Sequence, residues 1–296
     1  MLAPLEIRAR ALQRAREEME IGTMTVGRPE PPPATQSGGN FAGKTIIVTG
    51  GSRGIGRAIA LRLAREGGKV VLAGRDSAAL AAVVAEISSG GGTATSLAAD
   101  LRLPEAPAAL VDAALAAHGS IDIVVNNAGA TRRGDFLTLT DADWMDGFAL
   151  KFFGAVRLTR AAWPHLKERC GSVLNIIGVG GRTPGPEFTM GGSVNGACLS
   201  FTKGLADIGI RDGVQVNAIN PGSVRTERLR NLLASEAAQH GGDIDAAIQE
   251  HVRKSNVVRL GEPEDVANLA AFILSPQSRL LHGALIDLDG GQTKTV

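Results

Sequence analysis

The chain has 296 residues, of which 44% are apolar and 21% charged, with 31 basic side chains against 30 acidic ones. A formal charge of +1 argues against nucleic acid or an anionic membrane surface as a bulk electrostatic partner, and no run of about 18 apolar residues is present to span a bilayer. Cys170 and Cys198 are the only cysteines, too few for a disulfide scaffold or a cysteine-built metal site and compatible with a reducing cytoplasm, and tyrosine is absent altogether.

Residues 3–20 are rich in Ala, Arg and Glu and predict a short amphipathic helix. Residues 27–40 carry Pro29, Pro31, Pro32, Pro33, Gly38 and Gly39 and read as a linker. The arm 1–40 is then either a partner-binding segment or a poorly ordered tail, with Met24 as an alternative start. Its scattered charges exclude a standard secretory signal.

From Phe41 onward, short β-branched runs alternate with longer Ala/Leu/Arg segments. Strands are expected at 45–49, 69–73, 93–97, 121–125, 172–177, 214–218 and 284–288, and helices at 55–66, 78–87 and 104–117 among others. Near-continuous apolar strands suit a sheet covered by helices on both faces. The pattern predicts a single α/β domain over 41–296, doubly wound, with a seven-stranded, mostly parallel sheet and right-handed crossovers. No internal repeat is visible.

The first strand ends in Thr49-Gly-Gly-Ser-Arg-Gly-Ile-Gly56 and runs straight into a helix. Gly50, Gly54 and Gly56 permit a tight turn and close backbone approach, so that a pyrophosphate could sit over the helix N-terminus beside Ser52, Arg53 and Ile55. This is the Rossmann-type arrangement. An acidic residue at the end of the second strand would hold the ribose 2′-OH of NAD, but Gly74 stands there, followed by Arg75. Arg53 and Arg75 suit a 2′-phosphate, which points to NADP(H), while Asp76 reads as a helix N-cap.

The glycine turn, Asn126-Asn127-Ala128-Gly129 after the fourth strand, Asn220-Pro221-Gly222 after the sixth, the segment 259–266 and Asp289-Gly290-Gly291 follow one another as in a known family. Over roughly 41–291 the chain resembles the short-chain dehydrogenase/reductase superfamily. The resemblance implies that Asp100 and Leu101 meet the adenine and that Asn127, Ala128 and Gly129 line the adenosine ribose. It further implies that Pro221, Gly222, Val224 and Thr226 flank the nicotinamide, with Thr226 at the carboxamide. Residues 223–256 resemble the family's substrate lid, where Arg225, Arg228 and Arg230 either attract an anionic substrate or form a solvated face. A small-molecule substrate and a homodimer or homotetramer, packed through the fourth and fifth helices, are implied as well.

The family's usual catalytic serine, Tyr-x-x-x-Lys pair and fourth-helix asparagine do not recur. The corresponding positions hold Gly178, Gly191, Asn195 and Lys151. Lysine and asparagine have exchanged places, so Lys151 and Asn195 could restore an ammonium and an amide in one small volume. Lys151, partly desolvated, would then donate a proton or anchor the ribose. The alternative is a surface Lys151 and an Asn195 bonded to backbone. Ser193 is a candidate for binding substrate or for capping the helix, and Glu187 and Thr189 for reaching a ligand. Cys198 reads as core. Gly178 and Gly191 would leave room on the pocket floor for a bulkier substrate or water. The five histidines do not cluster, so no metal site is expected.

Proton transfer by a side chain contributes about 10²–10⁴-fold, so hydride transfer is feasible without a phenol. The resulting expectation is an NADP(H)-dependent oxidoreductase, acting on a carbonyl or conjugated C=C substrate by a non-standard proton path. Two alternatives remain: a cofactor-binding, non-catalytic sensor or assembly protein, and a redox-neutral dehydratase or isomerase on the same fold.

Overall fold

The run Ile46-Ile47-Val48 sends Ile46 and Val48 to one side and Ile47 to the other, and all three are fully buried. A strand with that pattern has no solvent face, so helices must cover the sheet on both sides. The computed structural model describes residues 39–239 and 242–295 and has this arrangement. In chain order it contains β1 (Thr45–Thr49), α1 (Gly54–Arg65), β2 (Lys69–Gly74), α2 (Ser77–Ser89), β3 (Thr93–Ala98), α3 (Ala106–His118) and β4 (Ile123–Asn126). Then come α4 (Asp141–Phe148), a π turn (Ala149–Phe153) and α5 (Gly154–Glu168), which run on as one helical rod, followed by β5 (Ser172–Ile176) and α6 (Thr189–Asp212). The remainder is β6 (Gln215–Pro221), α7 (Glu227–Gln239), α8 (Ile244–Ser255), α9 (Pro263–Leu274) and β7 (Leu285–Leu288).

The sheet order is β3-β2-β1-β4-β5-β6-β7 and every pairing is parallel, so the sheet is wholly rather than mostly parallel. Val48 pairs with Leu72 on one side and Val125 on the other. The order reverses at β1 and β4, and the crevice beyond their C-terminal ends is where ligands bind in such sheets. One core layer contains Ile59 and Leu63 of α1, Leu80 of α2 and Ala270 of α9. The other contains Leu110 of α3, Leu158 and Leu166 of α5 and Ala206 of α6. Burying each large side chain contributes roughly 1.5–3 kcal/mol.

Strand limits differ from expectation in two informative places. β4 starts at Ile123, just past Asp122, whose buried carboxylate accepts from the Thr45 amide at 3.0 Å, Lys44 Nζ at 3.0 Å and Arg169 Nε at 3.1 Å. β6 extends through Asn220 and Pro221, which look like a turn in sequence but pair with Asp287 and Leu288 of β7. Asp76 caps α2, accepting from the Ala79 amide at 3.0 Å. The arm predicted for 1–40 lies outside the described residues except at Gly39 and Asn40. Among the described residues, no helix is long and apolar enough to cross a membrane, and no cluster of candidate metal ligands occurs.

Candidate active site

The glycine turn is held from below by Asn127 and Thr49. Asn127 Nδ2 donates to the carbonyls of Thr49 at 2.9 Å and Gly50 at 3.3 Å, while Thr49 Oγ1 accepts from the amides of Asn127 at 2.9 Å and Ala128 at 3.0 Å. Gly50 and Gly54 have φ of 65° and 54°, in the left-handed region that favours glycine. A Cβ on Gly56 would stand 2.2 Å from the Gly50 carbonyl oxygen, so only glycine permits α1 to start this close to the turn. No side chain caps α1, whose first residues Gly54 and Ile55 therefore present N–H groups without a capping partner. This cradle fits the diphosphate of a dinucleotide. Ser52 flanks it, with Oγ 3.7 Å from where a Gly74 Cβ would lie.

Arg53 Nη1 donates to Glu227 on α7 at 3.1 Å, in an exposed ion pair worth at most ~1 kcal/mol. Arg75 is exposed at the end of β2. Asp100 accepts from the Arg102 amide at 3.1 Å and from its guanidinium at 3.2 Å, and Leu101 is buried beside it. Gly129 lies against the Lys151 stem, where a Cβ would come 2.9 Å from Lys151 Cδ. Pro221 is buried, Gly222 donates to the Leu288 carbonyl at 3.0 Å and Val224 bridges to Gly261. Thr226 Oγ1 accepts from the Leu229 amide at 3.3 Å at the start of α7, and its own O–H can still donate. Its methyl meets the space over Gly54.

A buried polar ladder sets the helices under the reaction centre. Asn126 Nδ2 donates to Thr159 Oγ1 at 3.0 Å and Asn175 Oδ1 at 2.9 Å, Asn175 Nδ2 to Thr202 Oγ1 at 2.9 Å, and Thr202 to the Cys198 carbonyl at 2.8 Å. Above the ladder, Lys151 sits in the π turn, where Gly154 donates to the Ala149 carbonyl five residues back. The extra residue per turn re-aims the side chains that follow it.

Lys151 points inward. Its ammonium donates to the Ile177 carbonyl and to Asn195 Oδ1 at 2.6 Å, and Asn195 Nδ2 lies 3.5 Å from the Gly178 carbonyl. Both acceptors of the ammonium are neutral. Burial therefore dominates and pushes the Lys151 pKa down to about 8, with the Arg228 charge acting in the same direction. The half-buried Lys151 and the buried Asn195 thus share one small volume, and Asn195 also meets the backbone.

Ser193 is not part of this group. It is exposed, two residues from Asn195 and so about 200° around α6, and its Oγ donates to the Thr189 carbonyl at 2.9 Å inside the helix rather than capping it. Nor do Gly178 and Gly191 both leave open space. A Cβ on Gly191 would come 2.1 Å from the Phe188 ring, and one on Gly180 2.8 Å from the same ring. Phe188 thus fills the volume that a side chain at 191 would use. The residues on either side of it in sequence were the ones singled out: Glu187 is exposed, and the buried Thr189 Oγ1 has no partner among the described residues. A lone phenylalanine in a polar approach segment gives no sign that it turns inward.

Further side chains lie around this group. Arg228 of α7 donates to the carbonyls of Gly129 at 3.4 Å and Thr131 at 3.3 Å, and the Arg133 guanidinium lies 4.8 Å from the centre of the Phe188 ring. Ser223 Oγ and His251 Nε2 are 2.9 Å apart, tying α8 to the loop after β6. Arg225 pairs outward with Glu262 at 2.9 Å.

Comparison with known proteins gives one consistent result. The sequence profile of the family described as Enoyl-(Acyl carrier protein) reductase matches residues 50–293. An uncharacterized oxidoreductase of Mycobacterium tuberculosis is 37% identical over 252 residues, 84% of this chain and 92% of the relative. L-sorbose reductase from Gluconobacter frateurii, complexed with NADPH and L-sorbose, has a TM-score of 0.84 at 29% identity, covering 87% of this chain and 99% of that one. A short chain dehydrogenase from Burkholderia cenocepacia in complex with NADP has a TM-score of 0.76 at 32% identity, covering 86% and 99%. Agreement over this length, in both sequence and fold, is more than a likeness of motifs: the chain belongs to the short-chain dehydrogenase/reductase superfamily.

Proposed function

We propose that the protein is an NADP(H)-dependent oxidoreductase that moves hydride to or from a carbonyl or conjugated C=C substrate, with Lys151 handling the proton. The similar structures that hold NADPH or NADP support the choice of cofactor. The cofactor, when bound, supplies or takes up the hydride. The uncapped start of α1 and the glycines at 50, 54 and 56 would receive its diphosphate. Arg75 would hold the 2′-phosphate, joined by Arg53 once released from its weak contact with Glu227. Asn127, Ala128 and Gly129 would lie along the ribose, and Pro221, Gly222, Val224 and Thr226 beside the nicotinamide.

The observation that carries the reading is the Lys151 ammonium held between two neutral carbonyl oxygens with a pKa of about 8. A group poised so near neutrality can give up a proton to a substrate oxygen and regain it. An ammonium has three N–H groups, and two already face Ile177 O and Asn195 Oδ1. Losing the third proton leaves an amine that still satisfies both acceptors, so no rearrangement need accompany the change of charge. Asn195 is the positioning residue for this amine. Phe188 keeps water from the space beside Gly191.

The same reading makes the protein a cytoplasmic homo-oligomer. Its two free cysteines suit a reducing compartment, and Phe153, Ile208 and Ile210 expose apolar surface on the rod and on α6, where a second copy could pack. Purified protein is to be assayed for NADPH oxidation with a panel of aldehydes, ketones and enones, alongside Lys151→Met. Turnover by the wild type, lost in a variant that still binds NADPH, is the expected result. Wild-type rates in the variant would overturn the proton path. Cofactor binding without turnover would favour the sensor reading, and product formed without change in nicotinamide absorbance the redox-neutral one.

A further inference from the structure

The segment Gly129–Arg133 runs along the mouth of the site and carries cations on both its sides. Beneath it the Lys151 stem packs on Gly129. Across it Arg228 reaches in from α7, bonded only to the neutral carbonyls of Gly129 and Thr131 at 3.4 and 3.3 Å. At its end Arg133 covers the Phe188 ring that fills the Gly191 site. Three positive side chains, the half-buried Lys151 and the exposed Arg228 and Arg133, thus meet along this one segment and its Phe188 neighbour, and none has an ion pair among the described residues.

Their neighbours behave otherwise. Arg132 pairs with Asp143 at 3.1 Å, Arg53 with Glu227 at 3.1 Å and Arg225 with Glu262 at 2.9 Å. Arg132 and Arg133 are adjacent, yet only the one turned away from the mouth meets a carboxylate. Glu187, whose backbone carbonyl accepts from the Gly134 amide at 3.1 Å, is exposed and pairs with neither Arg133 nor Arg228. The carboxylates of this region thus pair with Arg132, Arg53 and Arg225, and Lys151, Arg228 and Arg133 are left without one. Partial burial and the Arg133 charge lower the Arg228 pKa, and burial lowers that of Lys151, opposed by the nearby Cys198 and aided by the Arg228 charge.

We infer that the missing counter-ion belongs to the ligand: the site takes a small molecule bearing a carboxylate near its reactive group, and Arg228 and Arg133 receive that carboxylate. Arg228 offers a guanidinium whose present bonds are long and neutral, so a carboxylate can exchange for them and bond in two places. The inference rests on the oxidoreductase reading only in naming this ligand as the substrate. Carboxylate binding itself can be measured without turnover, so the two can fail separately.

The test is calorimetric titration of the full chain, first saturated with NADP⁺, using benzoate and its neutral analogue benzamide. Benzoate should bind about tenfold or more tighter than benzamide, and added salt should weaken only benzoate. Arg228→Gln and Arg133→Gln, checked for an unchanged melting temperature, should each remove most of that preference, and Arg228→Lys should restore part of it. A nearby anion favours the charged form of Lys151, so benzoate binding at pH 8 should take up protons, seen as a dependence of the heat on buffer ionisation enthalpy, and Lys151→Met should abolish the uptake. Equal affinities, no binding of either compound, or a preference that survives in both glutamine variants would overturn the inference. A carboxylate preference in a protein that oxidises no NADPH would leave the anion site standing and count against the redox reading alone.

Discussion

Around the glycine turn, contacts are made by backbone atoms and short side chains, and what matters is the space that is not filled: a Cβ at Gly56 would collide with Gly50 at 2.2 Å, and Asn127 bonds to two main-chain carbonyls. Around Lys151 the contacts join elements far apart in sequence, with Asn195 44 residues away, the Ile177 carbonyl just past β5, and Arg228 of α7 on the Gly129 carbonyl. The first region tolerates few exchanges, because backbone geometry has one solution there. The second can be rebuilt, because an ammonium and an amide can be delivered to one volume from either of two helices.

That contrast can be broken or sharpened by substitution. The largest effect is expected in the rigid half. Gly56→Val should abolish NADPH binding, followed by fluorescence titration, and destabilise the fold by about 3 kcal/mol or more in a denaturant melt, since the new side chain meets backbone. A variant that binds NADPH normally would show that the cradle is as adaptable as the centre.

In the rebuilt half, Lys151→Met should lower turnover by about 10²–10⁴-fold while keeping cofactor affinity. It should also raise the melting temperature at neutral pH. Lys151 titrates at about 8 in the folded protein against an ordinary value of 10.5, so the unfolded chain holds the proton more tightly. The wild type therefore gains stability as pH rises from about 8 towards 10.5, and the advantage of the methionine variant should be greatest below that window. Equal melting temperatures across the range would contradict the burial of an ammonium.

Smaller effects should follow at the supporting residues. Asn195→Ala removes an acceptor that favours the charged lysine, so turnover should fall by about tenfold and the pH at which reduction declines should move lower. Arg75→Ala should weaken NADPH by about tenfold and leave NADH unchanged in parallel titrations, and Arg53→Ala should do less, because Arg53 is already held by Glu227.

How much could be read in advance follows the same division. The glycine turn, Asn127 and the limits of β1 were legible because their constraints are local and depend on residue type. β6 was cut short because proline usually ends a strand, although Pro221 is its last residue and gives up little pairing there. Lys151 and Asn195 stood out as candidates against the family motif, but the π turn that holds the lysine has no sequence signature. Phe188 was missed because nothing in its neighbours tells which way its ring turns. Which of Arg225, Arg228 and Arg230 faces inward depends on the phase of α7 relative to the sheet, a tertiary fact.

The central claim is that Lys151 holds the transferred proton, and the most direct measurement is the pH profile of carbonyl or enone reduction by the NADPH-saturated enzyme, in the wild type and in Lys151→Met. Reduction needs the charged amine, so the wild-type rate should decline as pH rises through about 8, the reverse reaction should rise over the same interval, and the residual rate of the variant should show neither inflection. The same inflection near pH 8 in the methionine variant would assign the proton to another group and contradict the claim.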